Sequence, residues 1–238
     1  MPSTTNRNLL AIVLSSSLLP FTLGNAVAYE KGDIIIRAGA ATVSPRDDSD
    51  PINVAGITTL KGAGVNSNTQ LGLTISYMAT PKIALELLLA TPFTHDVSVK
   101  DTDIMAGKAT QLPPTITVMY HFANPSAKFQ PYLGAGINYT VFIDEDVDSD
   151  LNRALEGIIN PALGTSLTMD AKLELESSIG LALHAGFDYQ ITDKWMVNAG
   201  LWMIDIDTEA TIKTQAANVS FDVEIDPFVY MIGLAHKF

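Results

Sequence analysis

The chain has 238 residues, no cysteine, a net charge of −12 and a mean hydropathy of +0.22. The lack of thiols excludes thiolate metal sites, cysteine catalysis and disulfide stabilisation. The acidic balance argues against a nucleic-acid partner, whose phosphates need clustered Lys and Arg. An acidic chain this apolar must turn hydrocarbon toward something other than water, or bury it in an unusually large core.

Residues 1–28 read as an export signal: Arg7, then an apolar run over 9–23, then Ala26-Val27-Ala28, with cleavage expected after Ala28. No other stretch has the ~20 apolar residues of a membrane-spanning helix. Residues 29–238 suit one domain. Alternation of period two predicts strands over residues 33–43, 69–78, 82–90, 115–122, 131–142, 178–190, 194–207 and 227–238. In the sixth, Ile179, Leu181, Leu183 and Phe187 oppose Gly180, Ala182, His184 and Asp188. Three connections are short (78–82, 123–128, 190–194) and four are long (44–68, 91–114, 143–177, 208–226). Each strand covers the roughly 9–11 residues of a tilted span. The fold expected is all-β: an eight-stranded antiparallel transmembrane β-barrel of the bacterial outer membrane, with short periplasmic turns and long extracellular loops.

Aromatic residues fall at two levels. Tyr77, Tyr120, Phe122, Phe129, Tyr132, Tyr189, Trp195 and Phe238 sit near the short turns, and Phe93, Tyr139, Phe142, Phe228 and Tyr230 near the long loops. Two girdles mark the two interfaces of a bilayer. The acidic residues crowd into the long loops and their flanks. Ordinary solubility explains this, and so does divalent-cation bridging to lipopolysaccharide, since hard cations take carboxylate oxygens. Within the third long loop Leu151, Ala154, Leu155, Ile158 and Ile159 have helical spacing, ending at Pro161. That predicts a short amphipathic helix, which would cover the barrel mouth or pack on other loops.

Strand parity points Arg37, Glu86 and Asp188 inward. A buried charge is costly unless paired, so Arg37 is expected to pair with Glu86 or Asp188 as a lumenal plug, with ion selectivity as the other reading. Leu88 and Trp202 also point inward. Pro92, Pro113 and Pro114 flank the second long loop and lack the N–H that a sheet ladder needs. Gly233, His236 and Phe238 have the spacing of an outer-membrane assembly signal, read by the barrel-assembly machinery. His95, His121 and His184 show no serine or carboxylate spacing that forces a catalytic triad, so rim hydrogen bonding is expected and no enzyme activity or cofactor.

Several segments, in order, resemble the outer membrane protein W family, which includes the alkane-uptake protein AlkL. They are Asn68-Thr69-Gln70-Leu71-Gly72, Tyr77-Met78-Ala79-Thr80, Ala90-Thr91-Pro92-Phe93, Leu112-Pro113-Pro114, Pro131-Tyr132-Leu133-Gly134-Ala135-Gly136, Trp202-Met203-Ile204-Asp205 and Asp226-Pro227-Phe228. The resemblance implies an eight-stranded barrel with a narrow apolar lumen and passive passage of small hydrophobic solutes, with lateral exit into the membrane. It also implies an apolar constriction at Leu88 and Trp202, although simple filling of the barrel fits these two equally well. The prolines at 92, 113 and 114 are the place expected for the lateral opening. The alternative is a non-transporting surface protein whose acidic loops bind divalent cations, lipopolysaccharide or a protein partner.

Overall fold

The computed structural model describes residues 29–46, 48–54, 56–215 and 218–238, so the expected export signal lies outside the described residues. The alternating segments form eight strands that make one closed sheet: β1 (Ile34–Ser44), β2 (Asn68–Thr80), β3 (Ile83–Ala90), β4 (Thr115–His121), β5 (Phe129–Val147), β6 (Ser178–Gln190), β7 (Trp195–Ile204) and β8 (Phe228–Lys237). Each pairs antiparallel with its chain neighbours. The ring closes where β1 meets β8, from Ile35↔Lys237 to Ser44↔Phe228. Closure satisfies the backbone without an exposed edge, the condition for a sheet in lipid.

The two faces of the wall differ as a bilayer requires. Ile179 is 75% exposed and Leu181 70%, while inward Ala182 and His184 are buried. Tyr77, Tyr120, Phe122, Phe129, Tyr189, Trp195 and Phe238 form an exposed girdle near the short turns. Tyr132, expected in that girdle, is instead a buried lumenal residue, because it shares parity with inward Gln130 and Asn138. Side-chain oxygens tie the tight turns. Thr80 Oγ1 accepts from the N–H of Lys82 and of Ile83, Asn124 Oδ1 from that of Ser126, and Thr192 Oγ1 from that of Trp195.

The long connections are not plain loops. Strand Phe93–Val99 pairs with Met105–Leu112, which pairs in turn with the outer part of β5. Asp207–Lys213 lies between Lys172–Leu175 and Asn218–Glu224. The inward residues are mostly apolar (Ala210, Ile212, Val223), with Thr208, His95 and Gln111 as polar exceptions, and the charged ones face outward (Glu209, Asp222, Glu224). Charge marks where lipid ends, and the sheet continues beyond it.

Helix α1 (Ser149–Leu163) is the amphipathic helix of the third loop. It begins at Asp148, whose Oδ1 accepts from the Asp150 N–H, and it continues through Pro161 to a left-handed Gly164, φ 65°. The expected stop at Pro161 is therefore two residues early. Pro161 has no N–H to offer the Gly157 carbonyl, so the helix gives up one bond there, next to the last-turn carbonyls that lack intrahelical partners in any case. Leu151, Leu155 and Ile159 pack inward on Ile52, Val54, Val99 and Ile212. On the helix's polar side, Asn152 Oδ1, Glu156 Oε1 and Asn160 Oδ1 accept from the N–H groups of Ala171, Met169 and Leu167. Side chains four apart thus clamp the returning chain along the helix.

Candidate functional site

The lumen has two storeys. The lower one is built around Arg37, which β1 points inward. Its Nε and Nη2 meet Asp188 Oδ1 and Oδ2 at 3.0 and 2.6 Å, and its Nη1 meets Glu86 Oε2 at 3.0 Å and Ser76 Oγ at 2.5 Å. The expectation offered either carboxylate, and the structure brings both to one guanidinium. Asn198 Nδ2 donates to Asp188 Oδ1 and to the Tyr132 hydroxyl, both at 2.9 Å. Ser76 Oγ donates to Glu86 Oε2 at 2.8 Å. Tyr29 enters from the periplasmic end and donates its hydroxyl to Asp188. All these charged groups are fully buried, and a buried charge is costly unless it is paired, as each of these is.

Aromatic rings roof this cluster. The Arg37 guanidinium lies 5.6 Å from the centre of the Tyr132 ring, and His184 stacks on Trp202 at 3.8 Å with 15° between planes. Nδ1 of His184 is 3.1 Å from Glu86 Oε1. His121 and His184, whose heights parity left open, both reach Tyr132, with ring centres at 5.3 and 4.8 Å. A side chain at position 200 would put its Cβ 2.8 Å from the Trp202 ring, and one at 186 would meet the Tyr132 hydroxyl at 2.5 Å. Gly200 and Gly186 are the space these rings occupy.

The upper storey is apolar. Leu88 and Trp202 belong to one buried cluster with Phe93, Ala182, Ile204, Val223, Val229 and Met231. Above it a cavity of about 80 Å³ lies between the two extracellular sheets under α1, lined by residues such as Val54, Val99, Phe142, Leu155, Ile212 and Phe221. His95 and Gln111 are its most polar lining. His95 Nδ1 lies 2.7 Å from the Asn66 carbonyl, and its Nε2 lies 3.1 Å from Gln111 Nε2. Burial holds the His95 pKa below its ordinary value, against smaller opposing effects of the Asn66 carbonyl and Asp96.

Between the storeys the wall is broken. The pairing of β3 with β4 runs to Leu88↔Thr115 and resumes at Phe93↔Gln111, one residue out of step. No ladder pair joins residues 89–92 to 112–114 among the described residues. Pro92, Pro113 and Pro114 lie in this gap, where they withhold three N–H donors. Each flank stays attached to its other neighbour, Thr91 N–H to Leu71 O and Tyr139 N–H to Pro114 O, both at 3.0 Å. The slipped register inverts parity, so Phe93, expected in the outer girdle, turns inward and joins the buried cluster of Leu88 and Trp202 at 1% exposure.

Sequence reading missed several members of the site. Tyr29 and Ser76 complete the lower cluster, and Gln111 lines the chamber. Strand parity already placed Ser76 opposite lipid-facing Tyr77. No periodic signal marks Tyr29, which precedes the first strand. At the far end, the Phe238 N–H bonds to Ile34 O at 2.9 Å, and its ring lies 4.4 Å from His236, while Gly233 pairs with Gly39. Near the outer rim, carboxylate oxygens of Asp205, Asp207 and Asp226 lie within 4.8 Å of one another. This crowding and burial raise the Asp207 pKa, burial contributing most.

A closed barrel with a lipid-facing hydrocarbon wall, short turns at one end and sheet extensions at the other defines a small outer-membrane β-barrel. The OmpW family profile matches residues 30–238, and the chain belongs to that family. It is 42% identical to outer membrane protein W of Vibrio cholerae over 89% of this chain and 91% of the relative. The crystal structure of OprG from Pseudomonas aeruginosa superimposes with a TM-score of 0.77 at 41% identity, covering 89% of this chain and 98% of OprG. The solid-state NMR structure of AlkL shares the fold, with a TM-score of 0.62 at 18% identity over 98% of this chain and 97% of AlkL. The protein is therefore an outer-membrane barrel embedded in lipid.

Proposed function

We propose that the protein is a passive channel that takes small hydrophobic molecules from outside and releases them sideways into the outer membrane. The observation that carries this reading is an apolar chamber above a charged plug, with an unpaired stretch between β3 and β4, residues 89–92 against 112–114, at the level where they meet. A hydrophobic solute gains about 25 cal/mol for each Å² kept from water. Descending past Arg37, Glu86 and Asp188 would forfeit that gain. Passing between residues 89–92 and 112–114 into hydrocarbon keeps it. Leu88 and Trp202 form the floor at which the solute turns, and Phe93 is the side chain that must swing aside.

The test is a reversible staple. The chain has no cysteine, so Ala90→Cys with Pro113→Cys places the only thiols on the two sides of the gap. Uptake of an apolar dye into proteoliposomes is expected to fall at least severalfold on oxidation and to return on reduction, with small-ion conductance little changed. Undiminished uptake in folded, oxidised protein removes the lateral route. The second reading, a surface protein whose loops bind divalent cations or lipopolysaccharide, then takes its place. The Asp205, Asp207 and Asp226 cluster favours it.

A further inference from the structure

We propose that the chamber selects elongated apolar molecules that carry a hydroxyl group at one end, with Gln111 Oε1 accepting the hydroxyl hydrogen. This deepens the uptake reading and rests on it.

A chain of hydrogen bonds sets the direction of the Gln111 amide. The Asn66 carbonyl can only accept, so the His95 nitrogen 2.7 Å away, Nδ1, carries the hydrogen. In the neutral ring Nε2 is then an acceptor. The Gln111 atom 3.1 Å from it must be the amide nitrogen, which donates to it. Burial of His95 favours that neutral ring. Gln111 Oε1 is left facing away from His95, on a side chain 2% exposed, with no partner among the described residues.

Thr208 and Ser98, also on the chamber wall, already bond to carbonyls through their hydroxyls, whereas the Gln111 oxygen has no partner among the described residues. Thr208 Oγ1 donates to Glu176 O at 2.7 Å, and Ser98 Oγ donates to Gly64 O at 3.5 Å. The remaining lining is largely hydrocarbon. A water held at Gln111 Oε1 would make one good hydrogen bond, where buried waters need two to four. A hydroxyl on an apolar chain fits both demands: its hydrogen meets the unpartnered oxygen and its chain lies against Val99, Leu155 and Ile212. An ether or a ketone of equal size brings no hydrogen and leaves Oε1 unpaired.

The experiment compares 1-octanol with heptyl methyl ether, which has the same number of heavy atoms and no donor. Each competes with an apolar fluorescent dye for the whole protein in nanodiscs, and folding is checked by heat-modifiable migration on gels. Replacing the amide by a near-isosteric thioether, Gln111→Met, is expected to weaken the alcohol about tenfold, the value of one net hydrogen bond, and to leave the ether unchanged or tighter. His95→Phe frees the amide to rotate, so there the ratio of alcohol to ether affinity falls toward that of Gln111→Met. Equal effects of Gln111→Met on both ligands, or none on the alcohol, overturn the inference while leaving hydrophobic uptake standing. Failure of both ligands to displace the dye from wild-type protein overturns the uptake reading as well.

Discussion

The two storeys of the lumen are held together by opposite means. The lower one places a guanidinium, two carboxylates, a tyrosine hydroxyl and an asparagine amide in contact, contributed by β1, β3, β6, β7 and the segment before β1. The upper one packs hydrocarbon from two sheets and a helix around a cavity. A polar network of fixed geometry locks the strands it joins and tolerates no vacancy. An apolar chamber can lose or gain a guest while its walls adjust by small rotations. The lower storey therefore suits a permanent stopper, and the upper one suits a site that fills and empties.

The largest effect expected from breaking this contrast is at Arg37. Arg37→Met leaves Glu86 and Asp188 buried without their partner, and removing one member of a buried ion pair costs about 3–5 kcal/mol. The midpoint of urea unfolding in vesicles should fall for the whole barrel. The triple change Arg37→Met, Glu86→Gln, Asp188→Asn should recover much of the loss. If Arg37→Met alone unfolds like wild type, the cluster is not what locks the strands.

A change of similar chemical size in the upper storey should stay local. Leu155→Ala under the lid removes buried hydrocarbon worth about 2–5 kcal/mol in a tight core, and the low end is expected at a chamber wall free to settle. Amide exchange should speed up over α1 and residues 165–171, with the barrel's unfolding midpoint unchanged. Uniform loss of protection across β1 to β8 would erase the distinction between storeys.

The smallest effect is expected from pH. The folded-state pKa of His95 lies below its ordinary value of 6.5, because burial disfavours the charged ring. Its contribution to stability is complete above that ordinary value and is lost as pH falls from there toward the folded-state pKa. Exchange of the Phe93–Val99 and Met105–Leu112 hairpin should therefore accelerate on acidification through this window in wild-type protein. His95→Phe should flatten that dependence. An equally steep dependence in the variant would assign it to other groups.

Much of the barrel was legible because period-two alternation responds directly to a wall with lipid on one side and side chains on the other. β6 spans the same residues in sequence and structure, and the inward set of Arg37, Glu86, Leu88, Asp188 and Trp202 followed from parity alone. Parity failed where backbone pairing changed. Across Pro92 the register slips by one residue, so Phe93 points inward, and nothing in the side-chain pattern announces the slip. The outer strands were read as loops because their outward residues are charged, yet charge reports the surrounding solvent rather than the end of a sheet.

By itself the sequence determined the number of barrel strands, their direction through the membrane, the face most of their residues show and the helical stripe of α1, because these depend on local periodicity and on the solvent each face meets. Only the tertiary structure decided that both carboxylates meet one guanidinium, that Tyr29 reaches Asp188, that Phe93 turns into the lumenal cluster and that the Gln111 side-chain oxygen is left without a partner among the described residues. Those facts depend on closure of the ring and on register between strands far apart in the chain, where a shift of one residue moves a side chain from the lumen to the lipid.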